Sequence, residues 1–388
     1  MKKRMLCLLL ALSFLCTACG KTEDTPALSD AQAVLTDAVP LLSGGEVRNA
    51  EAFDLTEEMV APILTLMHAY YRSIGTLKLQ PCREIFTTRA ESKWHSAVWR
   101  SLIEIRKASL IDLHLNSYYF TLTVEDVVRH SEDYVELTVS EDAVYRFAAT
   151  ADIDTEQYDV LHTFLLQRSG DIWLIDGHNS DDNPYYNFDY DRFAGRDSRL
   201  NDFLQNIAAR QAQQGAADSA ATRTWDHDYD RDSAYQYMQT YIQQRNDTWA
   251  AYDTEGGNCQ NFGSQVLFAG GIPMDAEGDA QWYWHDRVYL DLSWINVGYF
   301  MDYAQNNSGF GLVAEADAGY YTGQVGDILI LGAEGMNHTT VITGLITDED
   351  GKTADYLLCS NTSNYRNFPA SAYYYTKHWL VRILGWNE

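Results

Sequence analysis

What the chain has little of narrows its chemistry first. Across 388 residues there are 28 Lys and Arg against 55 Asp and Glu, a formal net charge of −27, and no basic run interrupts the deficit. A field of that sign repels nucleic acid and other polyanions, anionic wall polymers included, so no nucleic-acid partner is expected. Cysteine and histidine pairs at zinc-ligand spacing are missing as well, which argues against a structural metal. No cofactor motif and no internal repeat is found. The one markedly apolar opening run, Met5 to Cys16, is too short to span a bilayer comfortably.

That run is the middle of a leader. Lys2, Lys3 and Arg4 precede it, and Thr17-Ala18-Cys19 and a polar stretch follow. A basic head, a short apolar core and small residues before the cut describe a secretory signal. A small pair directly before a cysteine resembles the lipobox of bacterial lipoproteins, although Cys16 stands where leucine is usual. The resemblance implies lipidation of Cys19, stable membrane anchoring through the acyl chains, and a protein on the outer face of the cytoplasmic membrane. An ordinary secreted protein cut nearby is the other reading. Either way Cys82, Cys259 and Cys359 remain, an odd number that rules out a full disulfide framework and leaves a Cys82–Cys359 bridge open.

The expected organisation is a leader over 1–19, a tether over 20–47, an α+β domain over 48–195, a linker with a polar helix over 196–228, and a second α+β domain over 229–388. In the first domain, Met59, Ile63, Met67 and Tyr70 share a helical stripe, and so do Trp94, Val98, Leu102 and Ile105. Alternating segments at 118–123, 134–139, 162–168 and 172–176 then read as an antiparallel meander. Its closing hairpin, ending Trp173-Leu174-Ile175-Asp176-Gly177, resembles cone-shaped NTF2-like domains, a fold that by itself decides no function. The linker follows a break at 180–184, with a polar helix over 199–214 and a small-residue spacer over 215–224.

The second domain is organised around one turn. Gly256 and Gly257 free the backbone ahead of Cys259, and Gly270-Gly271 with Pro273 stops the helix that follows. Cys259, Phe262, Val266 and Ala269 recur at helical spacing. A thiol at the first residue of a helix feels the positive end of its dipole, and the free N–H groups there can hold an oxyanion. The bland alternative is a small buried cysteine. A further helix is expected to start at Ser293, with Trp294, Val297, Met301 and Ala304 on one side, and strands at 326–330, 338–343, 356–361 and 373–385. His338 opens a strand after an irregular loop, and Asn361 closes the next, so antiparallel pairing can bring them side by side. Cysteine, histidine and a polar orienter in that order match a Cys-His-Asn triad. Against this, a strand histidine is commonly packed or superficial, Asn361 can be simple turn chemistry, and Trp282, Trp284 and Trp294 read as core before groove.

Tyr229 to Ala234, Asn258 to Gln265, Ala269 to Pro273 and Gly326-Asp327 to His338 together resemble the family called Putative amidase domain in Gram-positive bacteria. That family is a branch of the papain-like, CHAP and NlpC-like cysteine amidases and peptidases. Within it the Cys259-x-Asn261-Phe262-x-Ser264-Gln265 run is the most diagnostic piece. The resemblance covers roughly 229–388 and implies a papain-like fold, Cys259 as nucleophile and His338 as general base. Two positions depart from it: Asn258 stands where aspartate is usual, and Asn361 where many relatives carry histidine. Asn258, Gln260, Asn261 and Gln265 are the candidate oxyanion and supporting residues. The function expected is a surface cysteine amidase or peptidase that cuts an amide through an acyl-enzyme, with peptidoglycan peptides as the obvious substrate. The alternative is a catalytically silent module that binds a wall or protein ligand in the same cleft.

Overall fold

A computed structural model describes residues 43–188, 199–214, 221–278, 280–362 and 364–388. The leader, Cys19 and most of the tether lie outside the described residues. The described residues form one compact unit.

Strand β1 (Gly44–Arg48) leads to helix α1 (Glu57–Thr76). Glu57 and Glu58 occupy the first turn of α1, where acidic groups complement the helix dipole, and Leu77 ends it in a left-handed conformation at φ 52°. Met59, Ile63, Met67, Tyr70 and Ile74 make the buried face. Helix α2 (Arg89–Ala108) starts at Thr88, whose side chain accepts from the N–H of Glu91, and carries Arg106 and Lys107 in its last turn. The meander follows as β2 (Leu115–Ser131), β3 (Tyr134–Phe147), β4 (Thr155–Ser169) and β5 (Ile172–Ser180). Inside-outside alternation runs through most of it, as half-buried strands require. Helices α3 (Asn183–Phe188) and α4 (Leu200–Gln211) come next. The second of these, expected as a polar linker helix, buries Phe203 and Ile207, with the Phe203 ring 4.4 Å from that of Tyr374.

Strand β6 (His227–Asp228) precedes helix α5 (Arg231–Tyr241), capped by Asp230, and α6 (Cys259–Ala269). The helix expected from Ser293 is two helices. Asp291 caps α7 (Leu292–Ile295), and Asn296, extended at φ −125°, breaks the run and caps α8 (Val297–Asn306). The Asn296 side chain accepts from two backbone N–H groups of the next turn, a better use for it than mid-helix. Strands β7 (Gly311–Ala318), β8 (Ile328–Gly332), β9 (Met336–Thr347), β10 (Thr353–Ser360), β11 (Asn364–Pro369) and β12 (Lys377–Asn387) finish the chain.

The architecture is α+β around one mixed sheet. Its order is β1-β2-β3-β4-β11-β10-β9-β8-β12-β6, with β5 also on β4 and β7 also on β12. Only the β1–β2 pair is parallel among the described strands. The junction between the two halves is β4 with β11, where Asn364 faces Tyr158, Tyr365 faces Gln157 and Arg366 faces Glu156. Arg366 also makes an ion pair with Glu156 at 3.1 Å.

Alternation on the second half of the sheet feeds two cores. Leu329, Leu331 and Ile342 join the cluster beneath α1, α2 and the meander. Ile328, Ile330, Val341 and Cys359 join the cluster beneath α5, α6 and α8, which also holds Cys259. Cys82 lies in the first cluster and Cys359 in the second, and Cys82, Cys259 and Cys359 are free thiols. No helix among the described residues is long and apolar enough to cross a membrane.

Candidate active site around Cys259

The approach to Cys259 is built on positive φ. Gly256 and Gly257 sit at φ 105° and 112°, and a Cβ on Gly257 would press on the Thr362 side chain at 3.1 Å. The next residue, Asn258, is 1% exposed and serves as a hub. Its Oδ1 accepts from the Tyr252 N–H at 3.1 Å and from Asn261 Nδ2 at 2.8 Å. Its Nδ2 donates to Asn361 Oδ1 at 3.1 Å, and its backbone N–H donates to Thr362 Oγ1 at 2.6 Å. The start of α6 is thereby fixed to its own entry loop and to the end of β10.

Cys259 stands at the first position of α6 and is buried. Burial raises its pKa above that of an ordinary thiol. Backbone N–H groups of Thr339, Gln260 and Cys259 itself pull the other way without overcoming it. The resting group is therefore a thiol, where helix position alone suggested a thiolate.

His338 is placed on the other side of β9. The next residue, Thr339, donates from Oγ1 to Gln260 Oε1 at 2.7 Å, so its side chain faces α6. Consecutive strand residues point to opposite faces. The imidazole accordingly stacks on Tyr375, with ring centroids 6.0 Å apart and 17° between planes, and approaches Tyr373 at 6.1 Å. It is 4% exposed, its Nε2 has no hydrogen-bond partner, and burial lowers its pKa to about 4, which leaves it neutral at pH 7. Cys259 thus reaches the backbone beside His338 but not the ring. Nor does Asn361 reach it: besides Asn258, its amide bonds the Ile242 carbonyl at 3.3 Å. Strand β10 ends at Ser360, so Asn361, expected to close it, lies in the turn beyond, and its bonds to Asn258 and Ile242 hold it on the side of α5 and α6.

The other polar residues of α6 are committed to scaffolding. Gln260 Nε2 donates to Ser264 Oγ at 3.1 Å. Asn261 Nδ2 also donates to the Ala250 carbonyl at 2.9 Å, and its Oδ1 accepts from Trp294 Nε1 at 3.0 Å. Gln265 Oε1 accepts from Tyr237 Oη at 2.7 Å. Trp282 and Trp294 are fully buried, and Trp282 Nε1 donates to Ser264 Oγ at 3.1 Å. With these side chains engaged elsewhere, the polar groups close to the Cys259 sulfur are backbone N–H groups. Thr339 and Thr362 escaped the sequence reading, since a threonine in a strand or after an asparagine carries no signal of its own. Among the described residues, no group of three or more His, Cys, Asp or Glu side chains is placed to hold a metal ion.

Residues 228–384 match the model of the family described as Putative amidase domain, which supports an amidase-like hydrolytic function for this part of the chain. The chain is also similar to the uncharacterized protein YhbB of Bacillus subtilis (strain 168), 34% identical over 118 residues. That alignment covers 29% of this chain and 37% of the relative, so the chain spans little more than a third of the relative's length. No solved structure matches significantly.

Proposed function

We propose that the chain is a cysteine amidase or peptidase that hydrolyses an amide bond through Cys259. The observation that carries this reading is the delivery of Cys259 by a two-glycine turn to the first residue of α6, inside the segment that matches an amidase family. There the backbone N–H groups of Cys259, Gln260 and Thr339 are near the sulfur and available to a developing oxyanion. His338 is the base of the scheme. Its neutral imidazole can accept a proton, and it engages the thiol when the start of β9 turns the ring away from Tyr375. The Cys259 proton passes to His338, and the sulfur attacks the carbonyl. The C–N bond breaks as the imidazolium protonates the departing amine, and water releases the acid from the thioester. Asn361 acts through Asn258, holding the start of α6. The proposed setting is the outer face of the cytoplasmic membrane, anchored through Cys19, with peptide stems of peptidoglycan as substrate.

A second reading is favoured by the protonated, buried thiol with the imidazole on the far face of β9: a silent module that binds a wall or protein ligand. Iodoacetamide labelling of the purified chain across pH, followed by peptide mass spectrometry, separates the two. The hydrolase reading expects Cys259 to alkylate near neutral pH ahead of Cys82 and Cys359, and more slowly in His338→Ala. If Cys259 reacts no faster than the other two and His338→Ala changes nothing, the binding module takes its place.

A further inference from the structure

The first half of the sheet has so far been a neighbour of the cysteine site. Its contacts give it a larger part. On β11, Asn364 joins three elements. Its Oδ1 accepts from the Thr362 N–H at 3.2 Å and from Arg245 Nη2 at 3.0 Å, and its Nδ2 donates to the Tyr158 carbonyl of β4 at 3.3 Å. Both of the first two contacts lead back to Cys259. Thr362, left-handed at φ 70°, accepts the backbone N–H of Asn258. A threonine holds that backbone conformation only under restraint from its surroundings. Arg245 grips Asp253 with two nitrogens, at 3.1 and 2.6 Å, and Asp253 lies in the loop that leads into the glycine turn. The segment before that loop is pinned to β4 as well, because Gln243 Nε2 donates to Tyr158 Oη and to Glu156 Oε2.

We propose that Asn364 is a positioning residue for Cys259, holding the entry loop and the β10 end in register against β4 of the first half of the sheet. On this view the first half is part of the machinery that sets the thiol's surroundings. Asn364 touches neither the sulfur nor any reacting atom. It acts through Thr362 and Asn258 on one side and through Arg245 and Asp253 on the other. The proposal deepens the hydrolase reading, but its readout is the thiol itself and needs no substrate.

The test is the pH dependence of Cys259 alkylation by iodoacetamide in the full chain, for wild type, Asn364→Ala and Asn364→Asp. Cys82 and Cys359 serve as internal references in each sample. With the clamp gone, the turn that buries Cys259 loosens and water reaches the sulfur, relieving the burial that raises its pKa. The rate at pH 7.5 then changes by about threefold or more, within what one lost hydrogen bond supplies. The midpoint moves toward that of an ordinary thiol, about 8.5. Asn364→Asp keeps the acceptor for Arg245 and Thr362 but sets a carboxylate oxygen against the Tyr158 carbonyl of β4, so its profile falls between wild type and Ala. The proposal is overturned if the Asn364→Ala profile superimposes on wild type, or if Cys82 and Cys359 change as much as Cys259. It is overturned equally if the Asp variant behaves like wild type, since the tie to β4 would then contribute nothing. A chain that hydrolyses no amide but shows the expected profiles sinks the hydrolase reading and leaves the positioning role standing.

Discussion

Asn258→Ala is the sharpest test of how the cysteine turn is held. The substitution removes two acceptor contacts and one donor contact in a place that is 1% exposed. Asn261 Nδ2 keeps its bond to the Ala250 carbonyl, so it is not stranded. The Tyr252 N–H and Asn361 Oδ1 lose the partners given at 3.1 Å each. A buried polar group without a partner costs about 1–3 kcal/mol, so two cost about 2–6 kcal/mol. The vacated amide leaves room on the order of one water, which can bridge the two groups and offset part of that. The expected loss is about 2–4 kcal/mol. Urea unfolding followed by tryptophan fluorescence reads the total. Hydrogen exchange of the peptide containing Tyr252 reads the local part, and its protection should fall even in the absence of urea. Asn258→Asp refines the argument. It retains both acceptor contacts but sets a carboxylate against Asn361 Oδ1. Flipping the Asn361 amide only turns that oxygen onto the Ile242 carbonyl. The Asp variant should therefore be less stable at pH 7 than at pH 4, relative to wild type. An Ala variant within about 0.5 kcal/mol of wild type, the range of ordinary surface changes, with Tyr252 protection intact, would refute the hub.

Three further outcomes follow from burial, close approach and backbone conformation. The His338 pKa lies at about 4 in the fold against 6.5 outside it, so the unfolded chain binds more protons between those values. Its contribution, about 3 kcal/mol, is fully present above pH 6.5 and is lost as pH falls toward 4. Asp182 and Asp355, both raised by burial to about 6, change stability in the opposite sense over the same window. The measurement is therefore the difference between wild type and His338→Phe, and a flat difference from pH 7 to 4 contradicts the burial argument. In Gly270→Ala the new Cβ would lie 2.1 Å from Tyr229 Cε2 and 3.0 Å from the Asp230 carbonyl. The Tyr229 ring is buried and tied to the Gly326 carbonyl, so thermal denaturation should show a loss of about 2–3 kcal/mol. Gly256→Ala, where only φ is unfavourable and the space is open, should cost about 1 kcal/mol.

The parts of the fold legible in the sequence were those with a local cause. Stripes such as Met59, Ile63, Met67 and Tyr70 and the stop at Gly270-Gly271 act over a few residues, and the elements they announce are present. Strand β11 had no such cause. Residues 364–369 were not expected as a strand, and they become one because β10 and β4 pair with them on either side. The cysteine turn was legible for the same local reasons, since two glycines before a helical stripe need no distant partner. The side-chain partners of His338 and Asn361 were not. Which face a strand residue takes depends on register, and register is set by neighbours far along the chain. Placing Thr339 toward α6 sends His338 to the tyrosines, a choice that the residues near His338 do not encode.

The shared sheet also dictates an order of assembly. Tyr158 waits for Asn364, 206 residues later, and Gln260 waits 79 residues for Thr339. Closing such spans costs chain entropy before any contact repays it, so this sheet belongs among the slow folders. The last strand, β12, lies inside the sheet, paired with β8 and β7. A chain emerging residue by residue therefore cannot close the sheet over Ile328 and Ile330 until Lys377–Asn387 has appeared. For most of that interval the Cys259 thiol is uncovered. Its vulnerable time is the seconds of its making, when oxidants and stray disulfides can reach a sulfur that the finished protein buries.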